Sequence, residues 1–134
     1  MIYKAWLFLF FQLSLCAQLV LGQTPTKLGK ATDAQLSEIS GIVPYAYREN
    51  YFWVHNDSGD KTAIYLIDEQ ANLKVTVEIS GARFIDIEEI ARFYIGNKSY
   101  LAIADMGNNL RNRDVLSLYI IEEPHINPTD HLNL

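Results

Sequence analysis

Cysteine is almost missing from this chain: Cys16 is the only one, and it lies inside an apolar stretch near the start. Past that stretch no disulfide framework and no cysteine-ligated metal site is possible. Other absences narrow the reading further. No heptad is sustained, which excludes a coiled coil, and no low-complexity tract marks a disordered linker. No G-x-S-x-G elbow surrounds Ser40 or Ser58, and no D-x-[DN]-x-[DN]-G loop is present. His125 and His131 match no zinc spacing. Basic residues are also scarce: 11 Lys and Arg face 16 Asp and Glu. An acidic balance argues against nucleic acid as a partner.

What is present begins with a leader. Met1-Ile2-Tyr3-Lys4 carries one basic residue, and Ala5 to Gly22 is apolar apart from Gln12, Ser14 and Gln18. A polar segment, QTPTKLGK, follows. A basic start, an apolar core and small residues before a polar stretch predict a secretory signal over residues 1–22, cut before Gln23. Two rivals stand beside it: a retained anchor, for which the run is short of about 20 apolar residues, and lipidation at Cys16, which Leu15 disfavours. The expectation is a secreted or periplasmic protein with no stable membrane span once the signal is removed. Residues 23–35 read as an N-terminal linker.

The remainder is rich in aromatic and β-branched residues. Strands are predicted over Leu36–Val43, Tyr51–Asn56, Thr62–Asp68, Leu73–Ile79, Ile85–Phe93, Ser99–Asp105 and Val115–Ile121. Leu73, Val75, Val77 and Ile79 alternate with polar residues, the period of a half-buried strand. Glu49-Asn50, Asp57-Ser58-Gly59-Asp60, Asn72, Gly81, Gly96-Asn97 and Gly107-Asn108-Asn109 supply turn chemistry between them.

The strands also repeat. A shift of 48 lays Glu38-Ile39-Ser40-Gly41-Ile42 on Asp86-Ile87-Glu88-Glu89-Ile90. The same shift lays Phe52-Trp53-Val54 on Tyr100-Leu101-Ala102, and Asp57-Ser58-Gly59-Asp60 on Asp105-Met106-Gly107-Asn108. Ile64–Asp68 meets Leu118–Glu122 at a shift of 54, with an insertion around Leu110–Asp114. Units of this length carrying about four strands are the signature of a propeller blade. The fold class expected is all-β: the first two blades of a β-propeller, four-stranded and antiparallel, at 36–80 and 84–124. Residues 125–134 are a tail or the start of a continuation, so the chain reads as truncated against the typical 4 to 8 blades. A two-sheet sandwich is the competing architecture.

Glu38-x-Ser40-Gly41, the block from Trp53 to Asp60 (WVHNDSGD), Asp86-Ile87-Glu88-Glu89-Ile90-Ala91 and Ala104–Asn109 resemble a poorly characterised group of secreted bacterial proteins, predicted to be six-bladed propellers of the TolB-like type. The resemblance spans about Leu36 to Pro124. It implies a propeller but no established substrate; some relatives carry esterase-like or phytase-like labels.

Candidate chemistry gathers at strand ends. Glu38, Asp86, Glu88 and Glu89 lie on the presumed inner strands. Carboxylates converging at a propeller mouth can hold Ca²⁺, which takes 6 to 8 oxygen ligands. Glu38, Asn56 and Asp105 are the residue types that gluconolactonase-like propellers use, and they are the candidate metal ligands here. Ser58 is the tempting nucleophile with His55 three residues away, but that spacing builds no triad. The recurrence of Asp and Gly without Ser in the second unit favours a structural turn. Arg111 and Arg113 beside Asn108 and Asn109 suit a phosphate or carboxylate grip, or a solvated loop. Trp53 reads as core.

Two functional expectations follow. The first is a non-catalytic exported binding scaffold at the cell envelope or outside the cell, whose partner is a small molecule or an envelope protein. The second is a Ca²⁺-assisted hydrolase of phosphate esters or lactones. A nonfunctional gene fragment is the third possibility.

Overall fold

The computed structural model describes residues 23–59 and 61–126. The predicted leader and the tail from residue 127 lie outside that range. Seven strands form two antiparallel sheets: β1 (Ile39–Pro44), β2 (Tyr51–Asn56), β3 (Ala63–Asp68) and β4 (Leu73–Glu78) in the first, and β5 (Glu89–Ile95), β6 (Lys98–Asp105) and β7 (Ser117–Glu122) in the second. Each sheet is a meander in chain order. The all-β expectation holds. Among the described residues the only helical element is a single 3₁₀ turn, Ala34–Leu36, and no helix is long and apolar enough to cross a membrane.

Local chemistry explains the hairpins. Asp68 closes the β3–β4 turn by accepting from the backbone N–H groups of Gln70 (3.0 Å) and Asn72 (2.9 Å). Lys74 adds an ion pair at 2.8 Å. Burial draws the Asp68 carboxyl upward, but the Lys74 and Asn72 hydrogen bonds and the Lys74 charge outweigh it, bringing the pKa down to about 2. Gly96, at φ 61°, makes the tight β5–β6 turn.

Two predicted strands begin three or more residues later than expected. Leu36 belongs to the 3₁₀ turn capped by Asp33, whose carboxylate accepts from Gln35 N–H, so β1 starts at Ile39. Residues 85–88 are not strand either. Their backbone groups bond to both sheets, Ile87 N–H to Asp57 C=O and Glu88 N–H to Ala104 C=O, and β5 therefore starts at Glu89.

One core lies between the sheets. Val43, Tyr45, Trp53, Ile64, Leu66 and Val75 of the first sheet side meet Ile87, Ile90, Leu101 and Ile103 of the second. β1 and β5 lie against each other, and Arg92 on β5 donates to Pro44 C=O on β1 at 2.7 Å. The far face of the first sheet is also covered. Leu36 packs there on Val54, Ala63, Tyr65 and Ile67, with Ala31 beside it. Gln35 ties this strap down: its carbonyl accepts from Asn56 Nδ2 (2.8 Å), and its side chain accepts from Thr76 Oγ1 (3.3 Å). A Cβ on Gly29 would fall 2.0 Å from Gln70 O, so glycine is needed where the strap crosses the β3–β4 turn. Residues 29–35, read as linker, are thus part of the packed unit.

Strand registers correct the repeat. Ile42 pairs with Val54 and Ile90 with Ile103; Trp53 pairs with Leu66 and Ala102 with Ile120. These pairings set the shift at 48 from β1 to β5, 49 from β2 to β6, and 54 from β3 to β7. The single 48-residue shift expected for β2 is therefore one residue short. Its source is the connection after the first strand: seven residues, 45–51, separate Pro44 from its partner Phe52, whereas eight, 93–100, separate the equivalent Arg92 from Leu101. Trp53 corresponds to Ala102 and Asn56 to Asp105.

Candidate functional site

The polar residues singled out at strand ends do gather, at the seam where the sheets meet. Asp57 N–H donates to Glu38 C=O (3.0 Å), Ile87 N–H to Asp57 C=O (3.1 Å) and Gly107 N–H to Asp86 C=O (3.0 Å). An isolated bridge joins Ser58 to Asp86. Backbone bonds thus stitch residues 38, 57, 86–87 and 107 across the junction.

Asp105 anchors this seam. Its side chain is 1% exposed, and Oδ1 accepts from Asp86 N–H (2.8 Å), Ile85 N–H (3.3 Å) and Arg113 NH1 (2.9 Å). Arg113 also donates to Gly107 C=O (2.8 Å) and Asp105 C=O (3.2 Å). Asn108 shapes the loop that delivers the guanidinium, accepting from Asn112 N–H (2.9 Å) and Arg113 N–H (3.1 Å). Arg113 is therefore an internal partner of Asp105, while Arg111 is exposed at φ 53°. Among the described residues, Asp105 Oδ2 and Arg113 Nε have no hydrogen-bond partner.

Asn56 does the same work in the first sheet. Its Oδ1 accepts from Glu38 N–H (3.3 Å), as Asp105 Oδ1 accepts from Asp86 N–H. The three predicted metal ligands consequently split. Glu38 and Asn56 adjoin through a backbone bond, with the Glu38 side chain at an exposed position, whereas Asp105 is engaged by Arg113 in the second sheet. Among the described residues no three His, Cys, Asp or Glu converge as a metal site.

A different acid pair does meet. Asp86 and Asp57 hydrogen-bond through their carboxyls, and the Asp86 pKa is raised by burial first, then by the charge and hydrogen bond of Asp57; Arg113 opposes this and Asp105 adds to it. The Asp86 carboxyl rests on Gly107, where a Cβ would fall 2.1 Å from its Cγ. Beside it opens a cleft of about 230 Å³ lined by Ser58, Ile85, Asp86, Asn108, Leu110 and Arg113, among others.

His55 does not serve Ser58. Its ring is fully buried, Nδ1 lies 2.9 Å from Asn56 O, and the ring occupies the space a Cβ on Gly41 would need. Ser58 is exposed in the seam loop.

Glu123 escaped the sequence reading. It is buried, and Oε1 accepts from Trp53 Nε1 and Ala46 N–H, both at 2.9 Å, while Oε2 accepts from Ser99 Oγ. One carboxylate thereby clamps both sheets. Tyr45 OH reinforces the clamp through Ile126 C=O (3.0 Å) and Ile126 N–H (2.7 Å). Burial raises the Tyr45 pKa, against the Ile126 hydrogen bond and with help from the Glu123 charge.

No family model, no curated protein and no solved structure matches this chain.

Proposed function

We propose that the chain is an exported segment of a β-propeller acting as a non-catalytic binding scaffold at the cell envelope or outside the cell. One observation carries the architectural half. Residues at equivalent repeat positions point the same rotational way. Val43, Trp53, Ile64 and Leu66 face the second sheet, and their equivalents Ala91, Ala102, Leu118 and Ile120 face away from the first. Successive blades around an axis repeat by rotation in this manner, whereas the halves of a sandwich turn equivalent faces toward each other.

The scaffold half rests on how the seam residues are used. Asn56, Asp105, Arg113 and Asn108 hold backbone and one another, which gives rigid loops around the cleft. The cleft, with Ile85 and Leu110 beside Asn108, Asn109 and Asn112, suits a small molecule or a peptide loop of an envelope protein. A Ca²⁺-assisted hydrolase of phosphate esters or lactones is the second reading, favoured by the unpartnered Asp105 Oδ2 and the Asp57–Asp86 pair. Calorimetric titration with Ca²⁺, together with ester, phosphate and lactone panels, separates the two. The scaffold reading expects no saturable heat and no turnover. Stoichiometric Ca²⁺ binding, with turnover abolished by Asp105→Asn, would establish the hydrolase instead.

A further inference from the structure

Among the described residues, the second sheet leaves one face bare. Ala91 and Phe93 on β5, Tyr100, Ala102 and Ala104 on β6, and Leu118 and Ile120 on β7 share that face by register, and none of them is buried. Among the described residues, β7 is also an unpaired sheet edge. The surface is apolar at its centre, with charges confined to Glu89, Lys98 and Glu122 at the rim. Contiguous apolar surface of this kind marks an interaction site.

The interface already formed inside the molecule identifies what fits it. Trp53, Ile64 and Leu66 pack on Ile90, Leu101, Ile103, Tyr119 and Ile121 of the second sheet. By the strand registers, the bare face is the repeat equivalent of the first group. The equivalents of the second group are Ile42, Phe52, Val54, Tyr65 and Ile67, which lie on the far face of the first sheet. The tyrosine recurs at 65 and 119, isoleucine recurs at 67 and 121, and isoleucine recurs at 42 and 90. Ala102 is smaller than its counterpart Trp53, and Phe52, larger than its counterpart Leu101, fills only part of the space this leaves. The chain therefore carries both halves of one sheet-on-sheet interface, one bare and the other under the strap.

We infer that the bare face of the second sheet docks the far face of the first sheet of another copy, head to tail, with the 29–36 strap as a removable cover; this rests on the blade reading above. Each contact extends the stack by two sheets. A head-to-tail contact closes into a ring when its rotation permits, and about two to four copies would supply the 4 to 8 blades of typical propellers. The strap competes for the same surface. Its hold rests on Leu36, Ala31, Gly29 and the Gln35 bonds, while residues 23–28 are exposed. Loosening the strap must therefore strengthen association.

Sedimentation velocity across a concentration series on the purified chain tests this. The wild type is expected to associate reversibly into a closed species. Leu36→Ala should tighten association by about tenfold, and Ile120→Lys should weaken it by at least about tenfold. Circular dichroism monitors β-structure in each variant. Leu118→Cys provides an independent arm that leaves the strap intact. Head-to-tail docking keeps Leu118 positions of neighbouring copies apart, so rapid disulfide dimerisation would mean that two bare faces stack on each other and would overturn the inference. Folded, monomeric wild-type and Leu36→Ala proteins at every concentration would also overturn it. That result leaves the scaffold reading standing, since Ca²⁺ titration and substrate panels judge that reading separately.

Discussion

The first sheet is covered on both sides and the second on one. Leu66 and Ile120 occupy the same repeat position, yet Leu66 is 0% exposed and Ile120 is 49% exposed. Their strands have similar composition and pair in the same antiparallel manner. What differs is the neighbour: Leu66 has the second sheet in front of it, and nothing described lies in front of Ile120. Burial here is a property of stacking rather than of the strand. Each apolar face of a sheet requires a lid. The strap supplies one lid, sheet-on-sheet packing supplies another, and the remaining face is where the account places a partner.

The comparison can be broken at the shared core. Trp53 fills the space between the sheets and donates to Glu123, which also accepts from Ala46 and Ser99. Trp53→Ala should cost about 3–5 kcal/mol by urea denaturation, from lost burial and an unfilled cavity. A loss below about 1 kcal/mol would mean the sheets do not depend on each other. At the seam, Arg113→Ala leaves Asp105 buried without its cation. It should cost about 3 kcal/mol, with opening of residues 105–113 visible as faster amide exchange.

A smaller effect concerns the acid pair. Folding raises the Asp86 pKa, so its contribution is fully present below the unfolded pKa and is lost as pH rises through the folded one. Wild-type stability should therefore fall across that window. Asp86→Asn should flatten the profile, and an unchanged slope would show that Asp86 is not the group that titrates there. Asp68 works in the opposite sense. Its contribution is present above its unfolded pKa and is lost as pH falls toward about 2.

Much of this fold was legible in the residues. β2 was placed at both ends, and β3 and β4 to within a residue, because alternation and turn residues frame them closely. Leu36 and residues 85–88 were misread as strand. Their apolar and β-branched content is real, but it serves a strap and an inter-sheet lead-in, roles that tertiary packing decides. The repeat period was one residue short at β2 because the extra residue of the 93–100 hairpin, against 45–51, is invisible in an ungapped shift, and because the Asp-x-Gly coincidence of two loops masked it. Glu38, Asn56 and Asp105 were picked out as candidate metal ligands; in the structure Asn56 and Asp105 accept from the backbone N–H groups of Glu38 and Asp86, at the lead into each sheet's first strand. Nothing local distinguishes Glu123 from the exposed Glu122 beside it. Its three partners come from residues 46, 53 and 99, and only the folded chain brings them together.

The central claim is that the bare face of the second sheet is the same surface as the buried face of the first, without its lid. Urea denaturation of Leu66→Ala and Ile120→Ala, at protein concentrations low enough to keep the chain monomeric, tests it directly. Leu66→Ala should lose about 2–5 kcal/mol and Ile120→Ala about 0.5 kcal/mol or less. Equal losses at the two positions would contradict the account, because Ile120 would then already be covered within a single chain.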